Sequence, residues 1–215
     1  GGRQGGVLPA ILGTFYLVIG SVILAVPLGI LAGVYLAEYS KENWLTRVIR
    51  MGIDNLNGTP SIVFGLFGYT VFVLIPQTSK SLFAGAATLS LMILPTIIRT
   101  AEEAVRSINP STKDGSLALG ATKWYTIRKV VLPSAAPGII TGIIIGMGRS
   151  AGETAPIMFT AATQITSSVP KSLGKPVMVL SYHLYYLSQF LPNSDAARYA
   201  TALTLLILVL LIYGI

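Results

Sequence analysis

Long runs without a charged residue dominate the chain: 4–37, 55–79, 81–98, 130–148 and 199–215. A helix needs roughly 20 apolar residues to cross a hydrocarbon core of about 30 Å, so the pattern predicts five transmembrane helices. The first run would measure about 50 Å if wholly helical, too long for one straight crossing. Its early part, 8–16, is expected at the interface, and the span then runs to Ala37 with a kink at Pro27. The second span is expected over 60–76 and the third over 82–101. The fourth starts at Pro133 to Pro137, proline being suited to a helix start. The last begins near Ala196 and is cut at Ile215 without a polar exit, as a clipped chain would be. Residues 1–6 read as a flexible stub.

Between these runs lie three polar stretches. Residues 38–58 read as a loop carrying Lys41, Arg47 and Arg50, with Trp44 as an interface anchor, and 102–129 form the longest polar stretch. Residues 154–194 are rich in Thr and Ser, then aromatic at Tyr182, Tyr185, Tyr186 and Phe190. That spacing suits a helix lying at the interface, with a re-entrant helical hairpin as the alternative. Gly29 and Gly33, and again Gly138, Gly142 and Gly146, recur every four residues and predict close helix packing. Arg99 reads as a snorkelling anchor at the inner end of the third span, Asp54 and Asn55 as helix-end caps, Pro76 and Pro95 as kinks, and His183 as an interfacial side chain.

Composition agrees: 53% of the 215 residues are hydrophobic, 11% are charged, and mean hydropathy is +0.71. A soluble domain carries about 25% charged residues. The net charge of +7 needs no nucleic acid to explain it, because basic residues collect in cytoplasmic loops. Stretches 38–58 and 99–129 hold nine of the fifteen Lys and Arg. They fall on the same side, expected to be cytoplasmic, which turns the N-terminus, Lys80 and 154–194 outward. The first run lacks the basic leader of a signal peptide. With no cysteine and one histidine, thiol chemistry is excluded and a multi-His metal site cannot be built. The spans hold no Ser-Lys, Asp-Asp or multi-His cluster for an intramembrane enzyme. No phosphate-binding loop is present either: Gly174-Lys175-Pro176 lacks the upstream glycine and the hydroxyl. Any nucleotide must be bound by another subunit.

Within 102–133 one stretch is patterned. Asn109-Pro110-Ser111 opens a short helix through Leu119, with Pro110 in the first turn and Asp114 early, and Gly120 ends it. Gly115, Ser116 and Ala118 keep its surface small enough for close docking. Asp114-Gly115-Ser116, three residues, Gly120, nine residues, Val130-Val131-Leu132-Pro133 resembles the cytoplasmic loop of bacterial ABC importer permeases. That family's pattern is Glu-Ala-Ala, three residues, Gly, nine residues, Ile, one residue, Leu-Pro. Asp114 stands for Glu, Gly115 and Ser116 for two alanines, and Val130 for Ile, at unchanged spacing. The resemblance makes Asp114, Gly115, Ser116, Ala118, Leu119, Gly120, Leu132 and Pro133 the expected ATPase-coupling loop. A plain solvated loop is the bland alternative; a position between two spans, on the basic side and leading into Pro133, tells against it.

Arg149 and Glu153 stand four residues apart, a spacing that shares one helix face. Arg149 is about 18 Å along the helix from Pro137, where a lone charge costs roughly 2.5–3.5 kcal/mol. A self-neutralising ion pair is one reading. The other is a pathway site in which the guanidinium forks onto a tetrahedral oxyanion and Glu153 competes to keep binding reversible. Arg149-x3-Glu153-Thr-Ala-Pro156 resembles the phosphate-importer permeases of the PstA type, as do 5–14 and Tyr35-Leu-Ala-Glu38-Tyr39. The resemblance covers nearly the whole chain. It implies an all-α polytopic transmembrane bundle of the type I ABC importer (MetI-like) fold, a single permease domain over 1–215, in a bacterial inner membrane. Six spans are usual there, so one is expected to precede Gly1. It further implies inorganic phosphate as substrate, with sulfate, molybdate or phosphonate as the nearest rivals. The implied partners are a PstC-like permease in a heterodimer, a PstB-like ATPase dimer holding ATP and Mg, and a PstS-like phosphate-binding protein outside. Arg149 and Glu153 are the implied pathway residues.

Overall fold

The computed structural model describes residues 6–163, 172–191 and 194–214. The expected stub, part of the Thr/Ser-rich segment and the exit at Ile215 lie outside the described residues. The chain is helical, and among the described residues the one β feature is an isolated parallel bridge between Ala162 and Val177. The helices are α1 (Leu8–Glu38), α2 (Trp44–Asn57), α3 (Ser61–Tyr69), α4 (Leu82–Arg106), α5 (Pro110–Ala118), α6 (Lys123–Thr126), α7 (Leu132–Gly152), α8 (Ala155–Thr160), α9 (Leu180–Phe190) and α10 (Asp195–Tyr213). Among the described residues four helical stretches are long and apolar enough to cross a membrane: α1, α4, Lys123–Gly152 and α10. Trp44–Asn57 with Ser61–Leu74 makes a fifth when the two are taken as one span.

Two wide π-helical turns, Thr70–Leu74 and Ile127–Val131, sit just ahead of Pro76 and Pro133. Ile75 N–H reaches the Thr70 carbonyl at 2.9 Å, and Leu132 N–H reaches that of Ile127. Proline has no N–H and its ring crowds the carbonyl four residues back. A widened turn relieves that crowding, and the Thr78 hydroxyl takes up the Phe72 carbonyl at 2.9 Å. The helix of the fourth span therefore starts ahead of Pro133 to Pro137: it runs unbroken from Lys123 to Gly152.

The chain divides into two compact units, and the division falls inside α1, α4 and α7. The first comprises Gly1–Leu24, Thr59–Ile93 and Met147–Ile215. Here the stretch 8–16, expected at the interface, is the start of α1. Ala10, Thr14, Leu17 and Val18 are buried along one stripe of it, the helical 3–4 spacing. The Thr14 hydroxyl accepts from Leu180 N–H at 3.0 Å, and a Cβ on Gly13 would lie 2.0 Å from the Met178 carbonyl. The first backbone donors of α4, orphaned in any helix, are met by carbonyls from other segments. Leu82 N–H bonds Lys175 at 2.8 Å and Phe83 N–H bonds Leu173 at 2.9 Å, while Ser81 N–H just before them bonds Thr160 at 2.9 Å. The aromatic spacing over 182–190 does form a helix, α9. Tyr182 and Leu187 are buried in protein, whereas Tyr185 and Phe190 are exposed. His183 is half-buried beside Thr201, 3.1 Å from its hydroxyl, and burial holds its imidazole below the usual pKa.

The second unit comprises Ala25–Gly58 and Leu94–Gly146. Its core joins Val34, Ala101, Val105, Ile127, Val131, Ala135 and Ile139, and a smaller cluster joins Leu36, Ile53 and Ile98. Both glycine patterns pack on α4: Gly29 and Gly33 of α1 abut Ile97 and Ala101, and Gly138 and Gly142 of α7 abut Ala104 and Thr100. The stretch read as a loop over 38–58 holds helix α2. Asn43 caps it, its side chain accepting Thr46 N–H at 2.9 Å. Thr46 and Ile53 are buried, while Trp44, Leu45, Val48 and Ile49 are exposed. Helix α4 continues past 101 to Arg106 because Glu102 and Val105, at 2% and 0% exposure, still face inward.

Candidate functional site

Helix α5 forms as its sequence dictates. Asn109 accepts Ser111 N–H at 3.0 Å, Pro110 fills the first turn, and Gly120 sits at φ +84°, the left-handed region open to glycine. No residue of α5 is buried. Asp114, Gly115, Leu117 and Ala118 are exposed, and Leu119 follows at 91% exposure. Only Lys113 and Ser116 are partly covered, three residues apart and so on one face. Ser116 turns inward, its hydroxyl 2.9 Å from that of Thr126. Beside it an open concavity of about 520 Å³ is lined by Ser116, Leu119, Gly120, Ala121, Thr122 and Tyr125. The arrangement leaves a stiff helix offering one whole side to a partner. Leu132 packs partly against the core of this unit, and Pro133 is exposed.

Arg149 and Glu153 lie in the first unit, at the end of α7. Helix α7 stops at Gly152, so Glu153 sits in the break before α8 rather than inside the span. Their charges approach to 3.8 Å, with side-chain exposures of 30% and 17%. That distance exceeds a hydrogen bond, so the pair is a loose one. The Glu153 carbonyl accepts the Ser181 hydroxyl at 2.6 Å. A Cβ on Gly148 would lie 2.2 Å from the Tyr213 ring. The α7 end is thus fixed by its neighbours while its guanidinium and carboxylate stay partly solvated.

A cluster missed at the level of sequence occupies the second unit. Glu102 Oε1 takes Arg50 Nε at 2.9 Å and Arg106 Nε at 3.2 Å, and its Oε2 lies 3.7 Å from Arg99. Glu42 bridges Arg50 and Arg106 at 2.9 and 3.2 Å, and Asp54 holds Arg99 at 2.8 Å. Arg99 and Asp54 pair with each other, and Asp54 lies within α2 rather than ahead of it as a cap. The hydrogen bonds from Arg50 and then Arg106 hold the exposed Glu42 carboxyl below the usual range. Three arginines and three carboxylates balance, so the cluster ties α2 to α4 and offers no net charge. A second tie links Lys113 Nζ to the Glu38 carboxylate.

Membrane-length helices with a short exposed helix between two of them define a polytopic membrane protein. The chain belongs to the family of binding-protein-dependent transport system inner membrane components, whose model matches residues 25–215. It is 33% identical to the probable ABC transporter permease YqgI of Bacillus subtilis, over 96% of this chain and 74% of that protein. It is 36% identical to the phosphate transport system permease PstA of Pasteurella multocida, over 99% of this chain and 76% of that protein. With the Yersinia pestis PstA identity is 41% over 73% of this chain, which spans 53% of that relative. Among solved structures, the inward-facing MetNI methionine ABC transporter matches 96% of this chain and 89% of its own, at TM-score 0.69 and 23% identity. That match establishes the fold, a type I importer permease.

Proposed function

We propose that the chain is the PstA-like permease subunit of an ATP-driven importer that passes inorganic phosphate into the cytoplasm by alternating access. The observation that carries the substrate is kinship: 36% identity to a phosphate permease along 99% of the chain. All of 1–215 acts as one permease domain. The exposed α5 with Asp114, Gly115, Ala118, Leu119 and Gly120 enters a groove of a PstB-like ATPase dimer, which holds ATP and Mg and does the hydrolysis; this chain is not an enzyme. Ser116 ties α5 to Thr126, and Leu132 and Pro133 complete the coupling loop where it leads into the fourth span. A PstC-like subunit completes the pathway, and a PstS-like protein delivers phosphate from outside. Residues 102–133 face the cytoplasm, and the N-terminal end of this chain and 154–195 face out.

The loose Arg149–Glu153 pair supports an anion step. The partly solvated Arg149 guanidinium, 3.8 Å from the Glu153 carboxylate, can donate paired hydrogen bonds to a phosphate, and Glu153 competes with the anion so that binding stays reversible. The test is labelled phosphate uptake in cells lacking their own high-affinity importer, supplied with this subunit and its partners. Unlabelled sulfate, molybdate and phosphonate serve as competitors. Uptake suppressed by phosphate alone, and lost with Arg149→Gln in an assembled complex, is expected. Suppression by another anion overturns the substrate, and intact uptake with Arg149→Gln removes Arg149 from the pathway.

A further inference from the structure

A helix that delivers motion has to be fastened to what it moves, and α5 is fastened lightly. None of its residues is buried. The two that are partly covered, Lys113 and Ser116, are the two that bond away from the helix. Lys113 Nζ bonds the carboxylate of Glu38, the last residue of α1. Ser116 reaches Thr126, in the helix that follows. Glu38 is engaged a second time. Its backbone carbonyl, at the negative end of α1, accepts Lys123 Nζ from α6. That same ammonium stands 4.5 Å from the centre of the Tyr39 ring.

We infer that Glu38 is a positioning residue that clamps the ATPase-docking helix to the cytoplasmic end of α1 through Lys113. One residue of α1 thus receives a cation from each side of Gly120, Lys113 ahead of it and Lys123 behind. The Glu38–Lys113 side chains are only 13% and 22% exposed, so water competes weakly for the pair. No hydrophobic anchor of α5 stands in for it. Without the carboxylate α5 keeps its caps and its shape. It loses its tie to α1 and keeps only the Lys113–Val105 and Ser116–Thr126 bonds, so a push on α5 reaches α1 less directly. The inference rests on the proposed function, in which α5 is the surface the ATPase moves.

Two measurements test it. The first needs no partner: hydrogen exchange of the whole chain in lipid nanodiscs, wild type against Glu38→Gln. Faster exchange over α5 with α4 unchanged is expected; unchanged exchange over α5 overturns the clamp. The second uses the full complex in proteoliposomes, reading phosphate moved per ATP hydrolysed for Glu38→Gln, Lys113→Met and the double variant. The ratio should fall about fivefold or more with ATP hydrolysis retained. The double variant should be no worse than the worse single, because the two act through each other. A wild-type ratio, or losses that add, overturns the inference. A wild-type complex that moves no phosphate overturns the proposed function instead, and the exchange result still decides the clamp.

Discussion

Replacing Glu102 with Gln keeps its shape and removes one buried charge. The carboxylate is 2% exposed and sits 2.9 Å from Arg50 Nε and 3.2 Å from Arg106 Nε. Unit charges about 4 Å apart attract by about 4 kcal/mol at an effective dielectric of 20, and the cost of dehydrating each ion offsets much of that. The asymmetry decides the outcome: removing one partner of a buried pair costs about 3–5 kcal/mol, because the other charge stays behind. Here the lower end applies. Arg50 keeps Glu42 and Arg99 keeps Asp54, and Arg106, with 46% of its side chain exposed, is partly solvated already. A loss of about 3 kcal/mol lowers the melting temperature of a domain this size by about 6–12 °C. Thermal unfolding of the purified chain in mild detergent reads this directly. Glu102→Gln with Arg50→Met should recover part of the loss, since the Arg50 guanidinium, only 16% exposed and left with Glu42 as its one counter-ion, is then removed. A single variant melting with the wild type, or a double variant worse than either single, would refute the reasoning.

The remaining expectations concern helix contact and pH. Gly33→Ala places a Cβ 2.7 Å from the Ile98 carbonyl and 2.9 Å from the Glu102 amide, backbone atoms that cannot swing away, so a loss of about 1–3 kcal/mol is expected in the same assay. Gly52→Ala, in α2 with nothing within 4 Å of the new Cβ, should gain about 0.5–1 kcal/mol by helix propensity; equal effects at the two sites would contradict the packing described. The pKa of Glu42 is lowered in the folded chain by Arg50 and Arg106. Its stabilising contribution is therefore full above the unfolded carboxylate pKa and is lost as pH falls through the folded value. Glu42→Gln should flatten the acid side of the melting curve between about pH 6 and pH 3, and an unchanged acid limb would remove Glu42 from the cluster.

The second span, expected over 60–76, reaches membrane length only when joined to α2 across a 98° bend; the other four of the five were legible because membrane-length apolar runs need no partner to be recognised. So was α5, whose cap at Asn109, proline at 110 and glycine at 120 are all local signals. Helix α2 was obscured by its charges, since its inward stripe of Thr46, Arg50 and Ile53 places an arginine where a hydrophobic residue would have announced the period. Asn43 ahead of Leu45, Val48, Ile49 and Leu56 was the signal that could have found it. The ion cluster lay beyond reach for another reason. Glu102 and Arg50 are 52 positions apart, and Glu38 and Lys113 are 75 apart; only the packing of helices brings them together. The extended polar reading of 102–129 misjudged Glu102 because a neutralised carboxylate is compatible with a buried face.

The wide turn at Ile127–Val131 means that length in this chain is also phase. An α-helix advances about 100° per residue, and a π turn carries a surplus residue without advancing the winding to match. Deleting one residue there would leave composition and hydropathy almost unaltered and would give a more regular helix. With every residue kept, a regular helix there would instead swing Thr126, which meets Ser116, about 100° around the axis relative to the buried stripe at Val131 and Ala135. The irregularity works as a clocking element: it sets the angle at which everything ahead of it, α5 included, is presented.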